Sequence, residues 1–281
     1  MLISCRKATK ISKPRAITQD RTRLVGLTER DRRIADLVYR FRLLSRDQLM
    51  KLAPFGSLTR ANTRLAALVR AGLLSRKMLP VYPGNGSAQA LYFLGRAADA
   101  ILNLDKRSLA QQHRQISRWD VRQVEHVSAA NGVLVDFLVS LGRSSTASLV
   151  AYQTEPELRQ LFLDRSLVPD GWIAWTEQGK RFNCFLEVDL HHEGLSEWRD
   201  KVLRYLAYAE SGAHEEHFGF RSFRVVVIAK SHARLERVRR VASQAGRLFV
   251  FAEMSKVTSE NIPGKVWLSA SGDGLIALTE A

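Results

Sequence analysis

The sequence predicts an α/β protein in two parts: a small helical domain closed by a β-hairpin, then a larger domain built on a mixed sheet. Three observations carry this expectation. Apolar residues recur at helical spacing in three capped segments between Thr28 and Gly72, and two short strand-like runs follow them. Beyond Trp119 a long amphipathic helix leads into three strand segments, a helix and a further apolar strand. The chain has 281 residues and 46% hydrophobic content, enough apolar surface for two modest cores.

Lys and Arg number 43 against 28 Asp and Glu, a formal net charge of +15. A chain this basic most often meets a polyanion, and double-stranded DNA is the leading expectation. A generally basic surface is the plainer alternative. No uninterrupted apolar run reaches the roughly 18 residues of a membrane span, and the basic N-terminus has no apolar segment of the signal-peptide kind. Cys5 and Cys184 are too few for a disulfide framework or a cysteine-rich zinc site. A cytoplasmic location without a membrane partner is expected.

Residues 1–23 hold Arg6, Lys7, Lys10, Lys13, Arg15, Arg21 and Arg23 against Asp20, with little apolar content. They read as a basic disordered arm that either tracks phosphates or is simply solvated. Residues 24–103 form the first domain. Thr28 and Asp31 suggest a capping box before the stripe Ile34, Leu37, Val38 and Phe41. Ser45 and Gln48 open a second helix, which Pro54 and Gly56 end. A third helix runs from Ser57 to a Gly72 cap, with Ala61, Leu65 and Leu68 inward. Residues 73–79, a turn at Pro83-Gly84-Asn85-Gly86 and a returning strand at 89–94 complete a winged helix-turn-helix. In that arrangement the third helix enters the major groove. Thr59, Arg60, Asn62, Thr63 and Arg64 are then the candidate base and phosphate contacts, joined by Arg76 and Lys77 from the hairpin. A winged helix that only contacts protein is the competing reading.

Residues 104–118 are polar with few apolar anchors and read as a linker. Residues 119–281 form the second domain. Its helix at 119–141 is followed by strands at 149–153, 168–175 and 182–190, a helix at 196–210, and the strand 223–229, apolar enough to be buried on both faces. A basic helix at 232–244 and strands at 248–251 and 266–268 close the chain. That helix's arginines either extend a DNA path or form a solvated face.

The second and third of these strands carry the chemistry. Asp170 opens one, and Glu187 and Asp189 share a face near the end of the next. Lys201 follows on a helix. Carboxylates converging at a sheet end, with a lysine beside them, can hold a divalent metal and activate water. Pairing of Glu187 and Asp189 with Arg199, Lys201 or Arg204 in a metal-free ion network is the alternative.

The helix–strand–strand–strand–helix–strand order, with Pro169-Asp170 and Glu187-Val188-Asp189, resembles the PD-(D/E)xK nuclease superfamily and its restriction-endonuclease-like topology. The resemblance implies Mg2+ or Mn2+ on Asp170 and Glu187, with Glu125 of the preceding helix as a third ligand. It also implies a lysine that positions water. Asp189 stands where that family has its lysine, and Lys201 is the candidate replacement. Taken with Leu27–Ile34 and Leu58–Asn62, and with Phe185–Asp189, Glu193, Lys201 and Tyr205, residues 27–270 resemble the replication-relaxation family of plasmids and mobile elements. That resemblance implies a winged helix joined to a nuclease-like domain, with roles in replication or DNA relaxation.

Other motifs are expected to be structural. His191-His192-Glu193 lacks a second ligand pair and reads as a polar loop rather than a zinc cluster. His126 reads as a satisfied core or interface histidine, and Trp198, Tyr205 and Tyr208 as packing. No GxxxxGK[ST] loop is present, so ATP use is not expected. The leading expectation is a sequence-specific DNA-binding protein acting in replication or relaxation, transfer or transcriptional control. It would work as a homodimer or with replication or transfer proteins. A magnesium-dependent endonuclease using Asp170, Glu187 and Lys201 is the competing class, and a pure protein-interaction module a third.

Overall fold

The computed structural model describes residues 26–79, 89–162, 167–272 and 274–280. The expected arm at 1–23 and the hairpin turn at 83–86 lie outside the described residues. Helix α1 (Glu29–Phe41) begins at a capping box in which the Thr28 N–H donates to Asp31 at 2.7 Å. Strand β1 (Leu44–Ser45) leads into α2 (Arg46–Leu52), where Ser45 and Gln48 form a second capping box. The Ser57 hydroxyl caps α3 (Leu58–Arg70) by accepting the Arg60 N–H. Strands β2 (Leu74–Met78) and β3 (Ala90–Leu94) pair antiparallel, and β1 joins the other edge of β3. Three helices and a three-stranded antiparallel sheet thus stand in the order expected of a winged helix-turn-helix. Gly72 turns the chain out of α3 with φ +74, and a side chain on Gly95 would meet the Gly72 carbonyl at 2.1 Å. Only a glycine fits there.

The stretch expected as a linker is structured. After the short α4 (Asp99–Leu102), helix α5 (Lys106–Arg118) is capped by Asp105 and buries Leu109 and Ile116. His113 of α5 lies 5.1 Å from the Phe93 ring of β3.

Helix α6 (Val121–Arg143) precedes an antiparallel meander of β4 (Ala147–Thr154), β5 (Gly171–Glu177) and β6 (Lys180–Asp189), with the short α7 (Glu155–Leu161) after β4. Helices α8 (Leu195–Ser211) and α9 (Ala213–Phe218) then carry the chain to β7 (Arg224–Ala229), which pairs parallel with β6. Helix α10 (His232–Val241) crosses to β8 (Phe249–Glu253), parallel to β7; the antiparallel β9 (Trp267–Ser269) and β10 (Leu275–Ile276) finish the sheet. The sheet of seven strands is mixed, in the order β10-β9-β8-β7-β6-β5-β4.

Both faces of this sheet are covered. Val133, Leu134 and Phe137 of α6 pack on Ile173, Leu186 and Val226; Trp198, Val202 and Tyr205 of α8 pack on Phe185, Val227 and Phe249 of the other face. Glu187 and Asp189 therefore point not to an open side but into the second buried layer, at 2% and 3% exposure. Helix α6 is long and apolar enough to cross a membrane by length and composition, but half of its apolar stretch is buried within the protein. One apolar cluster runs from the winged helix through α6 into the sheet. Polar ties reinforce the seam. The buried Asn131 amide donates to the Phe41 and Leu43 carbonyls at 3.0 and 2.6 Å, and Arg40 pairs with Glu157 at 2.9 Å.

Candidate functional sites

Two places gather the candidate side chains, the outer face of α3 and the end of β6. On α3 the residues Ala61, Leu65 and Leu68 are buried, and the helical period leaves Thr59, Arg60, Asn62, Thr63 and Arg70 exposed. The helix contains no Asp or Glu, so nothing on it offsets its arginines. The Asn62 carbonyl oxygen sits 3.4 Å from Arg46 Nη1, which ties α2 to this face. Two expected DNA contacts are already committed inside the chain. The Arg64 guanidinium grips the fully buried Asp31 through both Nε, at 2.8 Å, and Nη2. Lys77 donates to the carbonyls of Ile116, Ser117 and Trp119, closing the end of α5. Arg76 remains exposed beside them.

At the other site Asp170, Glu187 and Lys201 do converge. The Asp170 N–H bonds the Leu186 carbonyl at 3.0 Å, which fixes the residue at the mouth of β5. Its Oδ2 accepts the Val188 N–H at 2.8 Å and lies 3.4 Å from His126 Nε2. His126 Nε2 is also 3.1 Å from the Val188 carbonyl. The charge on Asp170 raises the His126 imidazole to about 9, so it is a cation at neutral pH. Burial by itself would raise the Asp170 carboxyl; the charge and hydrogen bond of His126, the Lys201 charge and the Val188 N–H together outweigh it and hold the group below its ordinary value. Glu125, one residue earlier and about 100° round the helix, cannot share that approach. The helix delivers His126 where Glu125 was the expected third ligand.

Glu187 accepts from Lys201 Nζ at 2.9 Å on one oxygen and from the Tyr205 hydroxyl at 2.5 Å on the other. Lys201 also reaches Glu193 at 3.0 Å. Burial pushes the Glu187 carboxyl up to about 7, and the neighbouring Asp170 adds to that. Burial works against the Lys201 charge, but Glu187, Glu193 and Asp170 together hold its ammonium above its ordinary value. Asp189 stands apart from this group. It pairs with the buried Arg234 of α10 at 2.8 Å and accepts the His191 N–H at 2.7 Å.

The donor set, so arranged, does not fit a divalent ion. Both Glu187 oxygens and Asp170 Oδ2 already accept from the chain's own donors, and two protein cations, His126 and Lys201, already pair with these carboxylates. Among the described residues no three His, Cys, Asp or Glu side chains are placed to hold a metal. The arrangement is a buried ion network of the kind that removing one partner destabilises strongly.

Sequence spacing puts neither His126 nor Glu193 in this cluster, nor Arg234 against Asp189. His126 was readable only as a satisfied histidine, and it is one; its partner Asp170 lies too far along the chain for spacing to show it. His191 and His192 sit in a polar loop, His191 bonding Ser231 at 3.1 Å.

The replication-relaxation family matches residues 36–222. Two solved structures of the restriction endonuclease FokI, one of them bound to DNA, are similar at 10% identity. They cover 87% and 83% of this chain, with TM-scores of 0.28 and 0.26. The chain spans 45% of the length of each. No curated protein matches.

Proposed function

This chain belongs to the replication-relaxation family, and we propose that it is a sequence-specific DNA-binding protein of a plasmid or other mobile element. It would act in the cytoplasm, in replication, transfer or transcriptional control. The observation that carries this reading is the outer face of α3. It presents Thr59, Arg60, Asn62 and Thr63 without a single carboxylate, on the helix that a winged helix offers to the major groove. The net charge of +15 supports the same partner. Arg60 and Asn62 supply the planar, paired donors and acceptors that read base edges. Arg70 and Arg76 supply phosphate contacts. In this reading Arg64 and Lys77 serve the site indirectly, one by locking α3 to α1 and the other by fixing β2 to α5.

The nuclease-like domain acts in this reading as a rigid support. Its Asp170–His126 and Glu187–Lys201 pairs hold the ends of β5 and β6 to α6 and α8, and the Asn131 and Arg40 contacts fix the winged helix to that body. Selection of duplexes from a random pool tests the proposal. An enriched site, bound with an affinity that falls steeply as salt rises from about 50 to 200 mM, is expected; absence of any enriched site overturns it. Incubation with supercoiled plasmid and Mg2+ or Mn2+ tests the support role. Cleavage that disappears in both Asp170→Ala and Glu187→Ala would replace it with an endonuclease.

A further inference from the structure

On the face of the sheet opposite α6, helices α8 and α10 leave an open groove of about 560 Å³. Its floor is apolar, formed by Val202 and Leu206 of α8 and Val241 of α10. Leu203 stands on its lip at 63% exposure, the most exposed large apolar residue among those described. Three exposed arginines rim the groove, Arg199 from α8 and Arg237 and Arg240 from α10, and no Asp or Glu lines it.

The remaining arginines of α10 show how unusual that rim is. Arg234 is spent on Asp189 and the Glu193 carbonyl, and Arg239 on Glu236 and the carbonyls of Ser269 and Gly272. Among the described residues Arg199, Arg237 and Arg240 have no ion pair. A basic helix face that only needed solvation would have no reason to flank an apolar trough. A phosphate backbone would answer the arginines but leave Leu203 and the floor in contact with water.

We infer that this groove docks an acidic amphipathic helix of a partner protein. Apolar side chains of that helix, spaced i, i+3 or i+4, and i+7, enter the floor, and its flanking carboxylates meet the three arginines. From Leu195 to Leu206 the groove wall runs about 16 Å at the helical rise, room for roughly three turns of a partner helix. The inference does not depend on what α3 binds, since the groove lies in the other domain.

The test is fluorescence anisotropy of the full chain with a labelled, helix-stapled peptide of about 14 residues carrying leucines at that spacing and glutamates beside them. Binding is expected, weakening at least about tenfold in Arg237→Glu/Arg240→Glu and in Leu203→Glu. A peptide with the same leucines and lysines in place of the glutamates should not bind. All three substituted side chains are exposed, so the variants should melt with the wild type and bind duplex DNA as it does. Failure of the wild type to bind the acidic peptide, or equal binding by the variants, overturns the inference. So does loss of duplex affinity in the variants with peptide binding unchanged, which would assign the rim to phosphates.

Discussion

Lys201→Met is the substitution that most directly probes what the end of β6 is for. Lys201 is only 20% exposed, with its ammonium 2.9 Å from Glu187 and 3.0 Å from Glu193. Glu193 is 40% exposed and can turn to water, but Glu187 is 2% exposed and cannot. Methionine keeps the stem's packing and deletes the charge, leaving Glu187 with the Tyr205 hydroxyl alone. Burial already pushes that carboxyl up to about 7, and loss of Lys201 pushes it further. Each tenfold change in its proton affinity is worth about 1.4 kcal/mol, and a buried pair broken on one side typically costs about 3 to 5 kcal/mol. The sign follows from proton linkage. A carboxyl whose folded value lies above its unfolded one takes up its proton more readily in the folded state. Its destabilising effect is therefore absent below the unfolded value and grows as pH rises toward the folded one. Urea unfolding of wild type and variant at pH 8 and pH 5 measures this. The variant should lose about 3 to 5 kcal/mol at pH 8 and recover a large part of it at pH 5. A loss below about 1 kcal/mol, or one of equal size at both pH values, would refute the description of Glu187 and Lys201 as a buried, mutually dependent pair.

Three further substitutions test the frame around the sites. Burial raises the Asp31 carboxyl, but its bonds to Arg64 and Thr28 hold it below its ordinary value; its contribution is present above the unfolded value and lost as pH falls through the folded one. Asp31→Asn should thus cost about 2 to 3 kcal/mol at pH 7, with the gap to wild type closing in urea titrations only as pH falls below the ordinary carboxylate range. Asn131→Ala leaves the Phe41 and Leu43 carbonyls without their donor; a loss of about 1 to 3 kcal/mol for each is expected, read by chemical denaturation, together with faster amide exchange at the seam between winged helix and α6. Gly95→Ala places a Cβ 2.1 Å from the Gly72 carbonyl. It should lower stability by more than about 1 kcal/mol, visible as a reduced thermal midpoint.

Much of the fold was legible because its signals are local. Thr28 with Asp31, Ser45 with Gln48, and Ser57 each announce a helix start within a few residues, and all three caps are present. The apolar run from Val225 to Ile228 announced a strand covered on both faces, and it is one. Elements that depend on distant partners were not legible. β1 has two residues and no period of its own; it exists because Leu44 and Ser45 meet Tyr92 and Leu91. Helix α5 offers only Leu109 and Ile116 as anchors, too few to distinguish a docked helix from a linker until β3 is beside it. α7 does carry a local signal, Thr154 with Glu157 and a proline in the first turn. In the carboxylate cluster, strand period placed Glu187 and Asp189 on one face. Only the fold separates their fates, sending Glu187 to Lys201 and Tyr205 and Asp189 to Arg234. Helical period puts Arg60 on the outward face and Arg64 on the flank, but it does not show what that flank meets. Arg64's position on the flank nearest α1, facing Asp31, turned it from a surface cation into an internal tie.

In the proposed function α3 reads DNA through residues that face outward. The most direct measurement compares the duplex sequences enriched from a random pool by wild type and by Arg60→Ala, at matched salt. Arg60 is exposed and has no Asp or Glu along its helix, so its loss should leave the melting temperature unchanged. The expected result is a site whose preference relaxes at one or two base pairs, at a cost of about 1 to 3 kcal/mol for the best duplex. An enrichment profile identical to that of wild type would contradict the claim.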